Sequence, residues 1–76
     1  MSVLDQHTLE RWMSGAQVSG VGFALNEPVV VTAGLHAGTL GTVVALVSLQ
    51  PESLYTVKLG PGLNAVHVPE SALRGA

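Results

Sequence analysis

The first regular pattern in the chain lies between residues 2 and 14, where apolar side chains recur at the spacing of an α-helix. Three of them share one side of that helix: Leu9, Trp12 and Met13. Ser2 is placed to cap the first turn, with Asp5 three residues later, and Gly15 is placed for a left-handed end. The pattern predicts one short amphipathic helix, and Trp12 is the side chain expected to anchor it on a surface.

Beyond this helix the pattern changes to short apolar runs separated by glycine and proline. A glycine-rich connector over 16–27 ends in an extended piece at 21–25, and the β-branched run after Pro28 predicts a first strand at 28–33. The same criteria predict the remaining strands at 40–48, 54–59 and 65–68, with a helical turn at 69–73.

The third of these strands has the clearest period of two, with Tyr55, Val57 and Leu59 on one face. Gly41, near the start of the second strand, predicts a bend or a close backbone approach. The fold class predicted is therefore mainly β: a small barrel of about five short strands with an N-terminal amphipathic helix. We divide the chain into a helix (1–15), a connector with the first extended segment (16–27) and a barrel (28–76).

Composition narrows the functional possibilities. The chain has 76 residues, of which 47% are hydrophobic and 11% charged, and it contains no cysteine. A disulfide brace and a thiolate zinc site are therefore excluded, and the chain is too short for a two-domain enzyme. A surface so poor in charge predicts a homo-oligomer or a protein partner; the alternative is a monomer covered by small polar residues.

The net charge and the lack of long apolar runs bear on whether the chain binds nucleic acids or enters a membrane. Three basic side chains and a net charge of −2 argue against tight nucleic-acid binding, because few phosphates could be neutralised. The N-terminus lacks a basic region followed by an apolar core, and no apolar run has the length of a membrane span. We therefore expect a cytoplasmic protein that does not enter a membrane.

The order of strands, glycine loop and turns over roughly 21–74 resembles the SH3-like barrel superfamily. Gly34, Gly38 and Gly41, placed before Val43 and Val44, are similar to the KOW motif of ribosomal and transcription proteins. That resemblance implies a nucleic-acid or ribosome-associated module. KOW domains that bind RNA usually add basic loop residues, whereas the loop here holds His36 among neutral neighbours.

A second resemblance is to the plasmid-borne type II dihydrofolate reductases, which are tetrameric SH3-like barrels of similar length. The similar segments are Gly41-Thr42-Val43-Val44, Pro51-Glu52 before Tyr55-x-Val57, and Val66-His67-Val68-Pro69 before Ala72-Leu73. That family places a Val-Gln-Ile-Tyr strand in a central pore, at the positions of residues 66–69 here. The glutamine and tyrosine positions differ, and no lysine stands at 32–34, so we interpret the resemblance as shared architecture without shared chemistry.

Three side chains are candidates for ligand binding: His36, Tyr55 and His67. Histidine is a common acid–base group and metal ligand, but the histidine spacing matches no metal motif, and for each the alternative is an ordinary surface residue. Strand alternation points His67 away from the core, whereas Tyr55 either packs in the barrel with its hydroxyl at the rim or stacks on a ligand. Glu27, Glu52 and Glu70 are widely separated and are interpreted as solvated charges. We predict no catalytic residue, metal or cofactor.

Three functions follow, in order of preference. The first is a non-enzymatic interaction or assembly module, with Leu9, Trp12 and Met13 or an exposed edge strand as its contact surface. The second is a small-ligand or reductase-like site assembled at an oligomer axis around His67. The third is the KOW-like nucleic-acid module, which the low basic content disfavours.

Overall fold

The structure, a computed structural model, describes residues 5–60 and 65–76. One helix, α1 (Gln6–Met13), precedes five strands, and a 3₁₀ turn (Glu70–Ala72) separates the last two. The strands are β1 (Pro28–Val31), β2 (Leu40–Ser48), β3 (Leu54–Leu59), β4 (Ala65–Pro69) and β5 (Leu73–Gly75). They form one antiparallel sheet in the order β4-β3-β2-β1-β5. This confirms the predicted mainly β class and is consistent with a small barrel.

The core follows from the alternation of side chains along the strands. On β3, Tyr55, Val57 and Leu59 are all fully buried, as the period of two predicted. Valines on the neighbouring strands and Leu73 join them, so both ends of the sheet share one core. The predicted return of Leu73 to the core after a helical turn is therefore confirmed.

The irregularities of β2 differ from the prediction. The bulges fall at Val44 and Val47, where the register with β3 shifts, and both side chains are partly exposed. Gly41 instead stays in register, and its role is the close approach: a Cβ there would lie 2.6 Å from Cγ1 of Val57. Only glycine fits between the two strands at this point without displacing the core.

The helix is shorter than the sequence pattern predicted. It begins at Gln6 because Asp5 is its cap, with the Asp5 carboxylate accepting a 2.7 Å hydrogen bond from the Thr8 N–H. The predicted cap, Ser2, lies outside the described residues. The predicted end is confirmed: Gly15 has φ +92°, and its N–H donates to the carbonyl of Trp12.

Trp12 attaches the helix to the sheet of its own chain. Its indole is 2% exposed, and Nε1 donates a 2.8 Å hydrogen bond to the Phe23 carbonyl. Leu9 on the helix and Val18 on the connector pack against the same core. None of the helical segments among residues 5–60 and 65–76 has the length and apolar character needed to cross a lipid bilayer.

The extended segment predicted at 21–25 is not one of the five strands of the structure. The 21–25 segment packs on the core without joining the sheet, and the strand that completes the sheet is Leu73–Gly75. That tripeptide has no alternating pattern of its own. It becomes a strand because the 3₁₀ turn brings it beside the free side of β1, where Val31 pairs with Leu73. The first predicted strand likewise ends at Val31 rather than at residue 33.

Candidate functional site

An open groove of about 340 Å³ lies beside β4, between that strand and the loop formed by residues 32–39. We call it the β4 groove. It is lined by Val31, Ala33, Gly34, Leu35, His36, Val66, His67, Val68, Pro69 and Ala72. Two of the predicted ligand-binding residues, His36 and His67, therefore line the same groove although 31 positions separate them (67 − 36).

The 32–39 loop is held by its own backbone and by the end of the barrel. Gly34 and Gly38 both have φ near +85°, a conformation that glycine adopts without steric cost. The Gly38 N–H donates to the carbonyl of Val31 at 2.6 Å, and the Thr32 N–H donates to the carbonyl of Ala72 at 2.8 Å. These contacts form the groove in the free protein.

The opposite side of the groove is the outer edge of the sheet, because β4 pairs only with β3 in the described sheet. The Glu70 N–H donates to the Ser53 carbonyl at 2.8 Å, which places this pair among the hydrogen-bonded ones. Since bonded and non-bonded pairs alternate in an antiparallel ladder, Val68 also bonds β3, whereas the N–H and C=O of His67 point away from β3. Pro69, which lacks an N–H, occupies a non-bonded position, as proline on an edge strand should.

The side chains around the groove are apolar or neutral. Among the residues that the structure describes, no Asp, Glu, Lys or Arg lines it, and Val66, Val68 and Ala72 supply aliphatic walls. Leu35 projects from the loop with 95% of its surface exposed, more than any other large hydrophobic residue in the described chain. The His67 side chain is exposed, as predicted, and that of His36 is half-buried. The groove can therefore accept an apolar group of a ligand, while the two imidazoles or the strand edge can hydrogen-bond the polar atoms of the same ligand.

Tyr55, the third candidate for ligand binding, lies away from the groove and packs in the core, which is the first of the two positions predicted for it. Its ring is fully buried and meets Phe23 edge to face, with centroids 5.6 Å apart. Its hydroxyl donates a 2.6 Å hydrogen bond to Oε1 of Glu70 and accepts one from the Gly22 N–H. Burial first, and then the bond to Glu70, raises the pKa of the Tyr55 phenol above its usual range. No surface of the ring is left for a ligand to stack on.

The glutamates interpreted as solvated charges also have defined partners. Glu70 accepts a 3.0 Å hydrogen bond from the Gly22 N–H besides that of Tyr55, and Ser53 Oγ donates to the Gly20 carbonyl at 2.6 Å. We call these five residues the connector latch, because they tie the 16–27 connector to β3 and the 3₁₀ turn. Elsewhere, Glu52 accepts two hydrogen bonds from Ser71, and Glu27 accepts one from the Ala24 N–H. Contacts across 15 to 48 positions carry no local sequence pattern that could have predicted the latch.

The three residues predicted as a contact surface on the helix have different environments. Trp12 is buried in its own chain and offers no surface to a partner. Leu9 is half-buried against the same core, and Met13 is 54% exposed. A partner at this helix would meet Met13 rather than the indole, and such a contact stays a prediction.

Within residues 5–60 and 65–76, no group of three or more His, Cys, Asp or Glu side chains is placed to hold a metal ion. Comparisons with protein-family models, with curated proteins and with solved structures found no match to this chain. Function is therefore inferred from the geometry and chemistry of the groove.

Proposed function

We propose that this chain is a non-enzymatic SH3-like barrel that acts as a protein-interaction module, with the β4 groove as its binding site. The observation that supports this most is the combination of an uncharged, aliphatic groove with the 95% exposed Leu35 beside it. Contiguous apolar surface of this kind is typical of binding sites on small soluble domains. The partner is expected to present an apolar side chain on an extended segment.

The outer edge of β4 favours an extended peptide as the binding partner. The N–H and C=O of His67 point away from β3, and an extended peptide beside them could add main-chain hydrogen bonds to the apolar contact. The groove is also formed before binding, since the 32–39 loop is hydrogen-bonded to Val31 and to Ala72. Little conformational entropy would then be lost on the side of this chain.

A second candidate function is supported by a different observation. His36 and His67 line one groove, which is the convergence that a small-ligand site would need. In that case the imidazoles would supply the specific hydrogen bonds and the aliphatic walls would supply the apolar contact. The two candidates differ in whether binding depends on the imidazoles or on the apolar walls.

The test uses a capped apolar pentapeptide, acetyl-Ser-Leu-Val-Leu-Ser-amide, titrated into ¹⁵N-labelled protein. Amide shifts are expected at residues 33–36 and 66–68, with those around Leu40 unchanged. Ala33→Asp places a charge at the exposed rim of the groove and should weaken binding by at least about tenfold, because the charge is desolvated by the peptide. Ala37→Asp, in the same loop and outside the lining, is the matched control and should stay within about twofold.

The His36→Ala/His67→Ala double variant separates the two candidates. An interaction module should keep most of its peptide affinity in this variant. Loss of peptide binding on removal of the imidazoles, with the aliphatic walls intact, would favour the small-ligand site. Shifts confined to residues away from the groove would contradict both.

A further inference from the structure

The chain itself carries an exposed apolar side chain, Leu35, beside the β4 groove. We propose that the groove binds a second copy of this protein, with Leu35 of each copy inserted into the groove of the other. This inference rests on the proposed function and names its partner. The resulting dimer would have a two-fold axis between the two 32–39 loops.

The first reason is the placement of Leu35. Its side chain is almost fully in water, although the loop that carries it is fixed by the Gly38 to Val31 and Thr32 to Ala72 hydrogen bonds. A large aliphatic side chain held out on an ordered loop loses contact with water only if something covers it. The structure thus presents a fixed apolar projection rather than a side chain that could turn inward.

The second reason is that the projection and the groove lie on the same face. Leu35 is itself one of the residues that line the groove, together with Ala33 and His36 of the same loop and Val66 of β4. Under a two-fold axis, a surface that carries an adjacent projection and recess is complementary to its own copy. Each copy then supplies the apolar side chain that the other's groove lacks, so each site is completed by the partner.

The third reason is electrostatic. Pairing a surface with its own copy brings every charged side chain on that surface near an identical charge, which is unfavourable. The groove lining, as far as residues 5–60 and 65–76 form it, contains no Asp, Glu, Lys or Arg, so two copies can approach there without that cost. The alternative faces are less suitable: Lys58 lines the recess near Leu40, and Arg11 and Glu10 lie on the helix beside Met13.

The fourth reason is the unpaired edge of the sheet. The N–H and C=O of His67 point away from β3 on the side where β4 has no neighbouring strand in the described sheet. An incoming loop from a second copy would pass along this edge and could satisfy those groups. Covering an edge strand in this way also protects it from less specific pairing.

The test is a nuclear Overhauser experiment on a mixed sample of ¹³C-labelled and unlabelled full-length protein, with sedimentation equilibrium on the same material. We expect a dimer in which methyl groups of Leu35 in one copy show intermolecular contacts with methyl groups of Val66 and Ala72 in the other. Leu35→Asp should raise the dimer dissociation constant by about a hundredfold or more, because two copies of the change affect each dimer. Leu40→Asp, another exposed leucine outside the groove, should change it by less than about threefold.

A chain that sediments as a monomer up to millimolar concentration would overturn the inference, and so would a dimer whose intermolecular contacts lie elsewhere. Leu35 is exposed, so Leu35→Asp is expected to fold, and its amide spectrum checks this directly. The proposed function is tested separately. If the chain is a monomer and its groove still binds the apolar pentapeptide, the proposed function stands and only the self-association is rejected. If the groove binds neither the pentapeptide nor a second copy, both proposals are rejected.

Discussion

The connector latch and the β4 groove both include residues of β4 or of the 3₁₀ turn after it, and they use polar groups in opposite ways. At the latch, the Tyr55 hydroxyl, the Glu70 carboxylate and the Gly22 N–H are all bonded to one another within the chain. At the groove, the hydrogen bonds hold the loop backbone, and the side chains facing the open space are aliphatic or imidazole.

This difference separates a structural site from a binding site. A network of satisfied groups around a buried ring has no capacity left for a ligand, however suitable a tyrosine and a glutamate look in the sequence. A formed groove with uncharged walls and an exposed leucine still has apolar surface to bury. Changes at the latch should therefore affect stability, and changes at the groove should affect association.

The largest expected effect is at the helix that the connector joins to the latch. Trp12→Ala should lower the free energy of unfolding by about 3 to 5 kcal/mol, because it removes a buried indole and the bond to the Phe23 carbonyl. Met13→Ala, the next residue and exposed, should cost less than about 0.5 kcal/mol. Urea unfolding followed by circular dichroism measures both. Equal, small losses would show that the helix does not contribute to the core.

A smaller effect tests the latch itself. Tyr55→Phe keeps the ring and removes the hydroxyl that donates to Glu70, so we expect a loss of about 1.5 to 3 kcal/mol in urea unfolding. Glu70→Gln retains an acceptor and should lose less. His67→Ala, on the exposed side of β4, is the groove counterpart and should change stability by less than about 0.5 kcal/mol. If His67→Ala cost as much as Tyr55→Phe, the distinction between the two regions would fail.

The smallest effect is a pH dependence at the start of the helix. The hydrogen bond from the Thr8 N–H favours the charged carboxylate and holds the pKa of Asp5 below its ordinary value of 3.8. Because the pKa of Asp5 is lower in the folded state, the cap stabilises the helix fully at pH values above the ordinary pKa of the carboxyl. This stabilisation is lost as the pH falls through the pKa of the folded state. The Thr8 amide shift should titrate with a midpoint below 3.8, whereas Asp5→Asn should leave it nearly flat. A midpoint above that value in the native chain would contradict the cap.

Much of the fold could be predicted because it depends on short-range patterns. The alternation of Tyr55, Val57 and Leu59 assigned the inner face of β3, and Gly15 marked the end of the helix. The errors fall where pairing decided the outcome. The tripeptide Leu73–Gly75 became a strand because β1 had a free side, and the β2 bulges formed at valines, which have no preference for bulges.

The candidate site shows the same division. Sequence reasoning selected His36 and His67 as candidates, and the structure places both in one groove. Sequence reasoning could not exclude Tyr55 as a ligand-binding residue, because its hydrogen bonds to Glu70 and Gly22 span 15 and 33 positions. An isolated leucine in a glycine loop has no periodicity, so the sequence pattern does not distinguish Leu35, and only its 95% exposure in the structure does.

By itself, the sequence determined the class of the fold, the inner face of β3, the helix end and the scarcity of charge on the surface. Each of these is set by the preferences of neighbouring residues or by composition, which act over a few positions. The tertiary structure alone decided that Trp12 packs in its own chain, that Tyr55 is sealed by Glu70, and that Leu35 and the two histidines meet at one groove. Those outcomes depend on which distant segments the antiparallel pairing brings together, and a linear pattern carries no measure of that distance.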